Sequence, residues 1–199
     1  MKHAPSRQTR LILAVAVLFA GLASCDSKPV SGPDQSAGIS PSRMADALFA
    51  VMAADRTVYS NEVVYRLQDV EEVIKASEHW NNQKALPLPA QMFRMSAGLV
   101  AKQTDAFSYA LLSKWPINAE SVPRTEMEIA GFDSVAENPS KPFYDRETID
   151  DIEYFTAVYA DVATSPACVT CHNAHEDSPR TDFKQGDVMG GVVIRIPLR

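Results

Sequence analysis

Cys168-Val169-Thr170-Cys171-His172 is the densest grouping of reactive side chains in the sequence. Two thiols three residues apart, followed at once by an imidazole, form the Cys-x-x-Cys-His pattern of c-type haem attachment. The thiols add across the two porphyrin vinyl groups, and the imidazole is placed to ligate the iron. From this chain's own composition the pentapeptide would arise by chance roughly once in a thousand sequences of this length, so it outweighs the rival chemistries of the same residues. A thioredoxin-type pair wants its Cys-x-x-Cys at a helix start in a βαβ setting, whereas this motif follows a strand and a Ser165-Pro166 turn late in the chain. A zinc site from Cys168, Cys171, His172 and His175 has suitable ligand types. Four ligands so close in sequence, two of them neighbours, make tetrahedral closure difficult. A plain Cys168–Cys171 disulfide is the remaining alternative.

The chain has three cysteines, and the third, Cys25, belongs to an address. Lys2, Arg7 and Arg10 precede a nearly pure apolar run, Leu11 to Ala23, which is the charged and apolar layout of an export signal. It is too short for a membrane-spanning helix, which needs roughly 20 apolar residues. Leu22-Ala23-Ser24-Cys25 resembles the bacterial lipobox, whose cysteine becomes the lipidated N-terminus after cleavage; several acyl chains hold a protein at a membrane where one does not. Ordinary cleavage near Ala23, leaving a free thiol, is the alternative. Asp26, next in sequence, favours inner-membrane retention where the enteric rule applies. The expected location is the periplasmic side of the bacterial envelope, where covalent haem attachment also takes place.

With 199 residues, 46% hydrophobic and 22% charged, the chain suits one globular domain. Its net charge of −6 gives no support to a nucleic-acid partner, which would need phosphates neutralised. Removing the three leader cations from the 19 basic residues leaves 16 against 25 acids, a net −9. The division expected is a signal peptide at 1–24, a lipidated cysteine and Ser/Pro/Gly-rich tether at 25–40, and a folded domain at 41–199.

Within that domain Ser40-Pro41 reads as a helix start, with apolar residues at Met44, Leu48, Val51, Met52, Val58, Val63, Val64 and Leu67, which predicts an interrupted helical region of some forty residues. A second helix follows Pro87 and Pro89. Strands are expected at Phe107 to Leu112, Phe155 to Val162 and Val192 to Pro197, short helices near Arg124 to Gly131 and Asp145 to Asp150, and a tight turn at Gly190-Gly191. Helices leading and antiparallel strands following make an α+β plan.

The segments LLSKWPIN, ENPSKPFY, YFTAVYADVATSPACVTCHNAH and SPRTDFKQGDVMGGVVIRIPL, with LPLPAQMFRM upstream, resemble the Tll-type family of exported haem-c domains with a PAS-like fold. The resemblance reaches back to about Ser40. It implies a central antiparallel sheet flanked by N-terminal helices, one covalent haem c, and a role in redox or ligand sensing. Carried over, Cys168 and Cys171 become the thioether positions and His172 the proximal ligand. In that family the distal ligand comes from the N-terminal helical region, sometimes as a cysteine, and this chain has none there. Met52, Tyr59, Met92 and Met95 are the candidates. Each Met has core packing as its plain alternative, and Tyr59 could ligate, hydrogen-bond a ligand or merely pack. Arg94, Arg180 and Lys184 are candidates to pair with haem propionates, or are solvated charges. Tyr109 and Trp115-Pro116 would be apolar walls. His175 would hydrogen-bond locally or face water, and His79 sits in a polar surface run.

Two functions compete: a membrane-anchored module that senses redox state or a diatomic ligand and shifts its N-terminal helices, and a periplasmic electron carrier with a filled sixth position. A zinc or structural envelope domain is a third. No catalysis is expected, since no distal His and Arg pair suggests peroxidase chemistry. The last strand ends at the C-terminus without an output segment, so sensing would act through a signalling or redox protein partner.

Overall fold

The computed structural model describes residues 38–163 and 166–198, with the compact unit beginning at Ile39. The leader, Cys25 and most of the tether lie outside the described residues. Helix α1 (Pro41–Val58) starts as its sequence requires: Ser40 is the N-cap, its hydroxyl accepting from Arg43 N at 3.3 Å, and Pro41 opens the first turn. Thr57 and Ser60 then turn their hydroxyls back onto the carbonyls of Ala53 and Arg56, at 2.8 and 2.7 Å. Such bonds compete with the helix ladder, and from Tyr59 to Val70 the helix widens into a π-helical segment. A loop follows, closed by a bridge between Ala76 and Leu86. Helix α2 (Pro89–Gln103) begins with a proline in its first turn, and the Leu88 N–H donates to Gln91 Oε1 at 3.0 Å.

Strand β1 (Ser108–Leu112), helix α3 (Glu126–Glu137), strands β2 (Phe143–Ile149) and β3 (Ile152–Val162), helix α4 (Pro166–Ala174) and strand β4 (Val188–Pro197) complete the chain. The four strands form one antiparallel sheet in the order β1-β4-β3-β2. Alternation along β3 and β4 sorts the core into two faces. Ala157, Tyr159, Val192, Ile194 and Ile196 meet Ala45 and Phe93, with Met44, Leu48, Phe49 and Met52 packed alongside. On the other face Val158 and Val193 meet Met127, Phe132 and Val135 of α3. The fold is the α+β plan that the sequence predicts, with the antiparallel sheet and N-terminal helices that the PAS-like family resemblance implies, and α3 covering the reverse face of the sheet.

Two local expectations are corrected. Asp145 to Asp150 is not a helix: it lies in β2 and its turn, paired residue by residue with β3 from Phe143 opposite Val158 to Ile149 opposite Ile152. The reversal is made at Asp150 and Asp151, both with positive φ (50° and 62°), a conformation Asp tolerates in tight hairpins. Gly190 and Gly191 are not a turn before the last strand but lie within it, where the adjacent strands leave no room for a side chain. A Cβ on Gly190 would come within 2.5 Å of Leu112 O, and one on Gly191 within 2.8 Å of Tyr159 O. The strand therefore begins at Val188, and β3 begins at Ile152 rather than Phe155.

On the α3 face the Arg195 guanidinium bridges Glu128 (2.7 Å) and Glu147 (2.8 Å), and Glu147 also accepts from Thr156 Oγ1 at 2.9 Å. Burial by itself would raise the Glu128 carboxyl. Hydrogen bonds from Arg124 N, Arg195 and Thr125 N outweigh it and hold the group below the ordinary carboxylate range. Arg195→Leu deprives the Glu128 and Glu147 carboxylates of their shared cation and should cost about 3–5 kcal/mol at neutral pH. Because the Glu128 pKa is depressed, its contribution is present at neutral pH and lost as pH falls through the carboxylate range. Urea titrations of wild type and variant should therefore converge in acid; a gap independent of pH would contradict this account.

Candidate functional site

Helix α4 carries the whole motif. Cys168 and Val169 pack on a small cluster of Ala163, Phe183 and Met189, joined by Trp115. Cys171 follows three residues on, so both thiols share one side of the helix; they are not joined in a disulfide. The motif thus does open a helix, but it follows a strand of an antiparallel sheet, not the βαβ unit of a thioredoxin. Among the described residues no three His, Cys, Asp or Glu side chains gather as a metal ion would need, so the geometry does not assemble the zinc alternative. Nor, among these residues, is any helix long and apolar enough to cross a membrane.

The chain beyond α4 is tied back to it. Asn173 donates from Nδ2 to Phe183 O at 2.9 Å, and its Oδ1 accepts from Phe183 N at 3.0 Å. The His172 ring meets Phe183 edge to face, with centroids 5.9 Å apart and planes at 89°. Among the described residues its buried Nδ1 has no hydrogen-bond partner, a costly condition that calls for an explanation. Burial pushes the His172 pKa down; Asp161 opposes this, while His175 and Arg56 add to it. The imidazole is therefore held in the neutral, metal-ligating form. Cys171 is exposed, yet the protein around it pushes its thiol up, with Cys168 and Glu78 adding to the effect. Two thiols on one helix side and a neutral imidazole directly after them are the donor set of a covalent haem: Cys168 and Cys171 would hold its edge and His172 its iron.

Two contacts tie this corner to the N-terminal half. Arg56 of α1 pairs with Asp161 at 2.7 Å, just before a register shift at the end of β3, and both act electrostatically on His172. His175 Nε2 lies 3.5 Å from Glu78 of the 71–88 loop, whose carbonyl accepts from Gln91 Nε2 at 2.7 Å.

The remaining candidates are scattered. Met52 packs against the sheet core. The Tyr59 hydroxyl donates to Pro87 O at 2.8 Å, and burial raises its pKa. Met92 accepts from Ser96 Oγ at 3.8 Å. Met95 and Arg94 line an open surface hollow with Trp80 and Gln91, and Met95 is exposed. Arg180 is committed to Asp182 and Asp187 and stacks on Trp115 and Phe183. Lys184 is exposed, with its backbone N–H on Asp187. Tyr109 packs with Phe93 and Phe107, and His79 is an exposed neighbour of Glu78. Sequence reasoning passed over Arg56, Asp161, Glu78, Asn173 and Phe183. A signal existed for the first two, each a lone charge among residues that otherwise face the core.

These features define an α+β domain with a Cys-x-x-Cys-His helix docked at one end of its sheet. Residues 35–197 match the Tll0287-like family model, and the chain belongs to that family. Among solved structures it is similar to the crystal structure of the cyanobacterial heme-protein Tll0287, with 15% identity, 81% of this chain and 98% of that chain covered, and a TM-score of 0.46. No curated protein matches the chain.

The Arg56–Asp161 pair is only about a quarter exposed on either side. Asp161→Asn should cost about 1–3 kcal/mol in denaturant unfolding. A double-mutant cycle with Arg56→Met should return a coupling of at least about 0.5 kcal/mol; strict additivity would dissolve the link between α1 and the motif corner.

Proposed function

We propose that this chain is a c-type haem-binding domain, anchored by lipid on Cys25 to the periplasmic side of the inner membrane in a bacterial envelope, that senses redox state or a diatomic ligand. The observation that carries this is the motif on α4, which sets both thiols on one side of the helix with the neutral His172 imidazole directly after them. Tll0287 is described as a heme protein, and family membership extends that cofactor to this chain. A haem held there would supply a one-electron iron couple and, where a diatomic molecule displaces the distal side chain, a binding site for that molecule.

The sensing role draws on the Arg56–Asp161 pair and the Glu78–His175 contact, which lead from the motif corner to the N-terminal helices and loop. Of the distal candidates we favour Met95, because it lines an open hollow together with Arg94, which would pair with a propionate. Met52, Tyr59 and Met92 already have packing or hydrogen-bond partners. A signalling or redox protein would receive the output; neither catalysis nor nucleic-acid binding belongs to this proposal. The exposure of Cys171 favours a second reading, since a haem edge near solvent suits electron transfer to a redox partner.

Absorbance of the exported protein, made with haem maturation factors, tests these readings. One covalent haem per chain is expected, lost in a Cys168→Ser, Cys171→Ser double variant; a colourless wild type would sink the haem assignment. Carbon monoxide binding to the reduced form supports the sensor, and indifference to it supports the carrier. Met95→Ala should alter the oxidised spectrum or carbon monoxide affinity, and an unchanged result removes Met95 from the sixth position. Cys25→Ser should release the protein from the membrane fraction, and continued retention would refute the lipid anchor.

A further inference from the structure

A ligating imidazole is ordinarily oriented by a hydrogen bond from its second ring nitrogen to a carboxylate, a carbonyl or water. His172 departs from that pattern: Asp161, His175 and Arg56 act on it electrostatically, yet among the described residues its buried Nδ1 has no hydrogen-bond partner. What touches the ring instead is Phe183, at right angles to it. Edge-to-face geometry is directional, because the positive edge of one ring seeks the negative face of the other.

Phe183 is itself immobilised. It is 3% exposed, and both of its backbone polar groups are bound by the Asn173 amide. The Arg180 guanidinium lies 4.3 Å from its ring centroid and 4.8 Å from that of Trp115, which meets Phe183 edge to face. Asp182 and Asp187 hold Arg180 in turn, at 2.7 and 3.0 Å. Asn173 directly follows His172, so one stretch of α4 carries both the ligand and the anchor of the ring that orients it.

We propose that Phe183, locked by Asn173 and Arg180, is the positioning residue that sets the plane of the His172 imidazole and thereby tunes the iron it ligates. This rests on the haem assignment above, and a wild type without covalent haem would overturn both. If the wild type carries haem, the full-length haem-loaded Phe183→Leu variant tests the positioning role alone. Its haem content per chain should be unchanged, since the thioethers belong to Cys168 and Cys171. Electron paramagnetic resonance of the oxidised form should shift, and the redox equilibrium should move by about threefold or more, where tenfold corresponds to ~59 mV for one electron. Phe183→Tyr, which keeps the ring, should restore both signals. A merely structural Phe183 would lower the thermal midpoint and leave the resonance and potential of the folded protein at wild-type values, and that result overturns the proposal. Should Phe183→Leu fail to fold, Arg180→Lys keeps the charge but loses the planar stack. It should shift the resonance in the same direction, and wild-type signals from it would equally refute the role.

Discussion

The reciprocal pair of hydrogen bonds between the Asn173 amide and the Phe183 backbone holds the candidate site together. A nine-residue helix has little stability of its own, so α4 must be positioned by what lies beneath and beside it. The amide closes the excursion between α4 and β4 and seats Phe183 under Cys168 and Val169. The ring of Phe183 then completes the apolar cluster with Ala163, Met189 and Trp115. The excursion is fixed at its far end too, where Asp187 gathers Arg180 and the Lys184 N–H, and Ala163 bonds both Gly186 and Asp187 through its backbone. Gly186 has φ +91°, a conformation that favours glycine.

Helix α1 is the second fixed member, pinned to β3 near both of its ends. Asp46 accepts from the hydroxyls of Tyr144 and Tyr159, at 2.6 and 2.8 Å. Burial first, and then the Asp46 carboxylate, raise both phenols, Tyr144 to about 12 and Tyr159 further, so both stay protonated donors throughout the physiological range. Phe49 stacks on Tyr159 at 4.1 Å. At the other end Arg56 meets Asp161 and passes over Phe93. The apolar face of α1 supplies the bulk of its attachment, while these polar pairs specify its register on the sheet. Both members of the Arg56–Asp161 pair also act electrostatically on His172, so the anchoring of α1 and the electrostatics of the motif share residues.

Much of the fold was legible because periodicity reports burial directly. The Ser-Pro start of α1, the proline-led start of α2 and the apolar runs of β3 and β4 all stand where pattern places them. The failures share a cause. Asp145 to Asp150 looks polar and acidic because β2 is an edge strand with much of its surface in water, and only pairing with β3 reveals it. Gly190-Gly191 reads as a turn until Leu112, Tyr159 and Phe132 are seen pressing on it.

The sequence by itself determined the chemistry on offer: two thiols and an imidazole within five residues. Covalent neighbours cannot help being close, so that grouping needed no fold to be recognised. Tertiary structure alone decided what surrounds it. It withdrew Arg180 into a stack with Trp115 and Phe183, placed Met52 in the core, and brought Arg56, Asp161 and Glu78 to the motif corner. Those residues are far apart along the chain, and their proximity depends on which faces of α1, β3 and the 71–88 loop become buried, a choice made by packing rather than by local spacing.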